Sequence, residues 1–428
     1  MARWMSRRWS CVITLTLLAP PFAAAEAASW DNNFDQGLCA FNAGRYTEAL
    51  PLLVASLEQS RAFPPPDVRY VKSAHTLALL HEVQGRFDQS EPLYLEARKT
   101  VEAMGASGRS LLGYVLDGLG ELRFDQGRWN EAEPLLRQSI GLCRESHGAQ
   151  HPCTLTAQRH LAQVLSAKGS VQDAETVFQK LLETLHQKPS TPPEFLAGSL
   201  ENFASLYIAE ARYELAEPLL KESLALGTQQ GDAQPVVADT LLDLGELYRL
   251  EHDAARAEPL LKRALRIYET ADDPHQAGAL NELGLVALDQ GKFAVAKAHF
   301  KRSLTFYQHV FGPAHVIVAR VKAGLAEAFL GERNLREAKS LIQEAMATEK
   351  KALGEGHSAF ARMLIIAGRI EEQDHCASQA AAYYREAVTV YRRTLRSGHP
   401  ELLQAEQRYA RLTKSLPKDS VQAGEDAP

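Results

Sequence analysis

A small residue recurs along this chain at a nearly constant interval. The series is Ala49, Ser90, Ala132, Ala174, Ala216, Ala257, Ala296, Ala338 and Ala380, spaced 39 to 42 residues apart. Twelve positions before each stands a second small residue: Gly37, Ala78, Gly120, Ala162, Ala204, Gly245, Gly284, Ala326 and Gly368. No member of either series is larger than serine. A period of this length specifies stacked supersecondary units in place of one closed core. Such an array offers one long surface and no enclosed catalytic pocket.

The clearest copy runs from Leu116 to Ile140. Leu116, Leu119, Leu122 and Phe124 fall near helical spacing, as do Ala132, Leu135, Leu136 and Ile140. Asp125-Gln126-Gly127-Arg128 separates the two runs, and a glycine after a helical run is a stop signal. Each unit therefore reads as helix A, a tight turn and helix B. Gly120 and Ala132 are expected where the two helices cross, because a larger side chain there would cost ~1–3 kcal/mol. Tyr46, Phe87, Trp129, Tyr213 and Phe293 precede the second small residue and are expected to fill the corner between helices. Pro51, Pro92, Pro134, Pro218 and Pro259 follow it by two positions, which puts the start of helix B just before the small residue.

These residues resemble the tetratricopeptide repeat, in the 42-residue variety typical of kinesin light chain. The matching pieces are Leu119-Gly120-Glu121-Leu122, the run Gly127 to Leu136, and the Gly-x-x-His-Pro linker from Gly148 to Pro152. The resemblance implies an all-α superhelical solenoid of nine helix pairs over residues 30–416, ending in a capping helix from His399. Glu401, Gln404, Arg408 and Arg411 are expected to form the polar cover of that last helix.

Residues 1–25 read as a signal peptide. Arg3, Arg7 and Arg8 precede an apolar stretch from Cys11 to Phe22, and small residues around Ala25 offer a cleavage site. The apolar run is too short to span a bilayer, which needs ~20 residues. The expectation is an exported protein, periplasmic or secreted. Its removal leaves 44 basic against 53 acidic residues, a net charge of −9, which argues against nucleic acid or anionic membrane as partners. The polar segment 417–428 is expected to be disordered.

Cys143 and Cys153 flank the linker between the third and fourth copies. Either a disulfide or two buried thiols fits that placement. His151, His275, His315, His357 and His399 recur in one register, where each linker becomes the next helix A. That register places them one repeat apart and favours a structural role over a shared metal ion. The chain shows no phosphate loop, nucleophile elbow, Cys-x-x-Cys pair or zinc-protease helix. No catalytic residue, metal ligand or cofactor is expected.

The resemblance also implies that helix A lines a concave groove whose non-packing positions meet the ligand. Those positions carry Asp117 and Glu121 in copy three, Asn202 in copy five, and Asp239, Asp243 and Glu246 in copy six. Copy seven carries Asn281 and Glu282. Arg159, His160, Arg320, Arg362 and Arg369 stand against this acidic run. Asparagines offer donor and acceptor together to a peptide backbone, and the acids favour a basic segment. The reading is a non-enzymatic scaffold that binds an extended peptide or partner protein, of basic character, in its groove. The alternative is an assembly factor of a cell-envelope complex, acting through its ends or through an apolar convex stripe around Phe178, Phe300, Tyr383 and Tyr384.

Overall fold

The computed structural model describes residues 24–414, except 43, 44, 189, 190, 230, 233, 271, 272 and 274. Nearly all of the expected signal peptide and the whole of the expected disordered segment 417–428 lie outside the described residues. Among the described residues the fold is made of nineteen α-helices, with no strand. The first pairs are α1 (Ala24–Asn42) with α2 (Tyr46–Ser60), α3 (Val68–Val83) with α4 (Phe87–Ala103), and α5 (Arg109–Asp125) with α6 (Trp129–His147). Next come α7 (Pro152–Ala167) with α8 (Val171–His186), α9 (Pro193–Ala209) with α10 (Tyr213–Thr228), and α11 (Pro235–Leu250) with α12 (Ala254–Thr270). The last pairs are α13 (Gln276–Asp289) with α14 (Phe293–Phe311), α15 (Val316–Gly331) with α16 (Leu335–Leu353), and α17 (Ser358–Gln373) with α18 (Ala377–Thr394). A closing helix, α19 (Pro400–Thr413), follows. The all-α solenoid of nine helix pairs and a final helix is therefore as expected, with α1 beginning six residues before Trp30.

All nine small residues of the helix B series are fully buried. Their contacts refine the expected crossing. A Cβ on Gly120 would lie 2.7 Å from Leu136 Cγ but 3.6 Å from the Ala132 carbonyl. The same holds for Gly284, whose Cβ would lie 2.7 Å from the Phe300 ring. Helix A is therefore small to admit the residue one turn beyond the small residue of helix B. Two small surfaces facing each other would instead leave a void, which close-packed interiors avoid.

The aromatic position opens helix B, three residues before the small residue: α2 starts at Tyr46, α4 at Phe87, α6 at Trp129, α10 at Tyr213 and α14 at Phe293. The recurrent prolines consequently fall at the sixth helical residue, not at the first turn. Each removes one intrahelical hydrogen bond. All five lie on the exposed side, where a released carbonyl is free to bond to solvent.

The turn between helices A and B needs a left-handed residue. Gly127 takes it at φ 73°, and His375 takes it at φ 62° without being glycine. The described residues gather into two compact units that divide between Ser199 and Leu200. In the N-terminal unit a disulfide joins Cys143 to Cys153, with Cα atoms 5.8 Å apart, tying the end of α6 to the start of α7. Cys39 and Cys376 are free and exposed.

Candidate functional site

The recurrent histidines stand at the N-cap of helix A. The imidazole Nδ1 accepts the N–H two residues on in His151 (3.2 Å), His315 (3.2 Å), His357 (3.2 Å) and His399 (3.3 Å). A side-chain acceptor there satisfies one of the orphan donors of the first turn. His275 departs from the series, since its Nδ1 contacts Asp273 at 2.5 Å. The sequence register located this role, but not the atom that performs it.

The eight candidate groove residues divide between the two units. Asp117 and Glu121 belong to the N-terminal unit, on α5. Asp117 Oδ1 lies 3.0 Å from His160 Nδ1 on α7, and Glu121 lies 4.0 Å from the other ring nitrogen. Burial works to lower the His160 pKa, but the two carboxylates outweigh it and the pKa is raised. Beside it, the Arg159 guanidinium sits 5.0 Å over the Phe195 ring.

The other six candidates lie in the C-terminal unit: Asn202 on α9, Asp239, Asp243 and Glu246 on α11, and Asn281 and Glu282 on α13. All six are buried, not fully solvated. The Tyr268 hydroxyl donates to Asp239 at 2.5 Å, and burial pushes the Asp239 carboxyl up to about 7. Arg249 donates to Glu282 at 3.1 Å and also lies 3.5 Å from Asp289. Burial raises the Glu282 pKa, and Arg249 opposes that rise. Asn281 donates to Glu282 at 3.3 Å. Next to Asn202, Glu201 accepts from Thr240 (2.6 Å) and Ser223 (3.1 Å). The acidic run is thus less anionic than its formal count, because a tyrosine and an arginine from other helices already engage it. Helical periodicity on one helix could not have shown those partners.

Two cavities in the C-terminal unit open between helix A faces. The smaller, about 80 Å³, is lined by α11, α13, α15, α17 and α19, with Tyr307 of α14, and includes Asn281, Glu282, Arg320 and Arg362. The larger is a cleft of about 750 Å³. Arg249, Arg362, Arg369, Arg408 and Arg411 line it with Asp289, Glu327, Glu372 and Glu401, over apolar side chains such as Leu285, Leu288 and Leu330. Most of these charges are paired: Arg362 with Glu401, Arg369 with Glu327, and Arg411 with Glu372. Arg408 holds no ion pair among the described residues. The polar side of α19 was expected to form an outer cover. Instead Glu401, Gln404, Arg408 and Arg411 face this cleft.

The residues named for a convex apolar stripe are core residues. Phe178, Phe300 and Tyr384 are fully buried, and Tyr383 packs against the core. Among the described residues, one group has metal-ligand spacing: Glu371, Asp374 and Cys376, near the surface. The Lys339 ammonium already bonds both of its carboxylates, at 3.0 and 2.6 Å.

Residues 112–185, 195–270 and 275–351 match the tetratricopeptide repeat, more than half of the chain. The chain belongs to the tetratricopeptide repeat family. Among its relatives is protein kinesin light chain-related 2 of Arabidopsis thaliana, 20% identical over 349 residues, covering 72% of this chain and 53% of that protein. Mitochondrial tetratricopeptide repeat protein 19 of Rattus norvegicus is 25% identical over 170 residues, covering 39% of this chain and 45% of that one. This tetratricopeptide chain spans about half the length of the relatives it matches. Aspartyl phosphate phosphatase F from Bacillus subtilis superposes with a TM-score of 0.55 at 12% identity, over 88% of this chain and 96% of that one. A Rap protein complexed with competence and sporulation factor gives 0.50 at 11% identity, over 90% and 98%. Such likeness shows a shared tetratricopeptide fold. That fold is typical of protein–protein interaction scaffolds, and proteins of the family are generally non-catalytic. No described helix is long and apolar enough to cross a membrane.

Proposed function

We propose that this tetratricopeptide protein is a non-enzymatic scaffold that holds an extended segment of a partner protein in the cleft of its C-terminal unit. The observation that carries the reading is the cleft itself: about 750 Å³, with a leucine-bearing floor and charged walls contributed by successive helix A faces. An array whose helices are packed before the partner arrives loses little conformational entropy on binding. Asp289 on α13 supplies the attraction for a basic side chain, and Arg408 on α19 supplies a complementary site for a carboxylate. The segment is therefore basic in part, with an acidic residue toward α19. One of the solved relatives in fold, the Rap protein, is described as complexed with a factor, which agrees with ligand binding by this architecture. The proposed place of action is outside the cytoplasm, on the strength of residues 1–25; a fusion to a reporter active only after export tests that part.

The test of binding is a cross-linked pull-down from cell extract. The bait is the full chain, beside an Asp289→Lys, Arg408→Glu variant whose circular dichroism is unchanged. A partner recovered only by the unaltered chain supports the reading. Equal recovery by both contradicts it.

A further inference from the structure

Three contacts join the two ends of the C-terminal unit. Arg396, in the linker before α19, donates Nε–H to the Glu210 carbonyl at 3.0 Å, across 186 positions of sequence. The same guanidinium lies 3.7 Å from the Glu210 carboxylate. His399 contacts the Ala209 carbonyl through Nε2 at 3.0 Å, across 190 positions. His399 Nδ1 meanwhile accepts the N–H of Glu401 and caps α19. Both ring nitrogens are thus committed, with the proton on Nε2. Ala209 ends α9 and Glu210 begins the turn into α10, so the closing helix is seated on that turn.

Between these ends the helices pack in sequence from α10 to α19. Adding the three contacts closes that series on itself. A second observation agrees: Arg249 of α11 lines the same small cavity as Arg362 of α17 and Glu401 of α19, which an open array would separate. Nothing in the repeat pattern demands this closure. It depends on Arg396 and His399 reaching two carbonyls at a helix C-terminus, where unsatisfied acceptors collect and cationic groups are favoured.

We infer that the C-terminal unit is a ring held shut by a latch, Arg396 and His399 on Ala209 and Glu210, and that the latch gates the cleft. The closure is read from contacts within the chain; what it admits rests on the groove reading above. A small molecule enters the closed ring through its faces. A continuous polypeptide laid in from the side requires α19 to part from the α9–α10 turn. The three contacts are polar and in part exposed, so the latch can open without unfolding a core.

The test needs no partner. In the full chain with Cys39→Ser and Cys376→Ser, cysteines replace Glu210 and Arg396. A short bismaleimide should link them within the monomer, read as a linked peptide by mass spectrometry. A second protein carries Gln404→Cys, on the cleft side of α19, with the latch intact or opened by Arg396→Glu and His399→Asn. Asparagine keeps the helix cap but does not reach Ala209. The readout is the labelling rate with a polymer-bearing maleimide relative to N-ethylmaleimide. Opening should raise that ratio about tenfold, the change expected for losing interactions of this kind. No linked peptide overturns the ring. A linked peptide with an unchanged ratio overturns the gate. Neither result bears on the pull-down, so the two readings fail separately.

Discussion

The Nδ1 atom of His357 lies 3.2 Å from the backbone nitrogen of Ala359, accepting the N–H that opens the first turn of α17. His315 does the same for α15 at Ile317. Burial, with the Arg320 charge adding to it, lowers the pKa of each imidazole to about 4. The unfolded chain takes up these protons near the ordinary value, ~6.5. Between those values the unfolded state binds more protons than the native state. The stabilisation is therefore complete above about pH 6.5 and lost as pH falls toward 4, on the order of 2 kcal/mol for each histidine. Denaturant titration at pH 7 and pH 4.5 should show that loss, and His315→Asn with His357→Asn should shrink it while keeping the caps.

Glu91 and Arg123 give a second acid-sensitive joint, in the N-terminal unit. Arg123 donates to Glu91 at 2.5 Å, and that bond is the main cause holding the Glu91 carboxyl down at about 2. A depressed carboxyl stabilises the native state above its ordinary pKa of ~4.3, and the contribution disappears between there and about 2. Glu91→Gln should cost roughly 1–3 kcal/mol at pH 7 and little at pH 2. Thermal melts across that range check it.

The small-residue series predicts opposite results from one substitution type. At Gly284→Ala the new Cβ would stand 2.7 Å from the buried Phe300 ring, a loss of about 1–3 kcal/mol. Gly141, on the exposed side of α6, has no neighbour within 4 Å. Gly141→Ala should gain about 1 kcal/mol from helix propensity alone. Equal effects at both sites would contradict the packing account.

The Cys143–Cys153 bond closes a short loop, with a sequence separation of 10. Chain-entropy arguments give roughly 2–3 kcal/mol for such a loop. A reductant should lower the melting temperature of the native chain and leave that of a Cys143→Ala, Cys153→Ala variant unmoved.

The helix pairs were legible in the sequence because two small residues twelve positions apart must recur wherever helix A meets helix B. The linker histidines and the aromatic that opens helix B were legible for the same reason: each repeats in register. The chemistry of the groove was not. Asp239 and Glu282 read as groove acids open to a ligand until Tyr268 of α12 and Arg249 of α11 are brought to them. Helical spacing orders residues along one helix and says nothing of which side chain a neighbouring helix supplies. The prolines were misplaced by a turn because an exposed proline is tolerated at the sixth residue as well as the first. The seating of Arg396 on Glu210 joins residues 186 positions apart, beyond the reach of any local pattern.

Site-specific photo-cross-linking tests the central claim most directly. A photoreactive residue at Gln404 reports from the cleft, and one at Val295, exposed on α14, reports from helix B. The account predicts a discrete partner adduct from position 404 and none from position 295, the former lost in the Asp289→Lys, Arg408→Glu variant. Adducts from position 295 with none from 404 would contradict it and place partner binding outside the cleft.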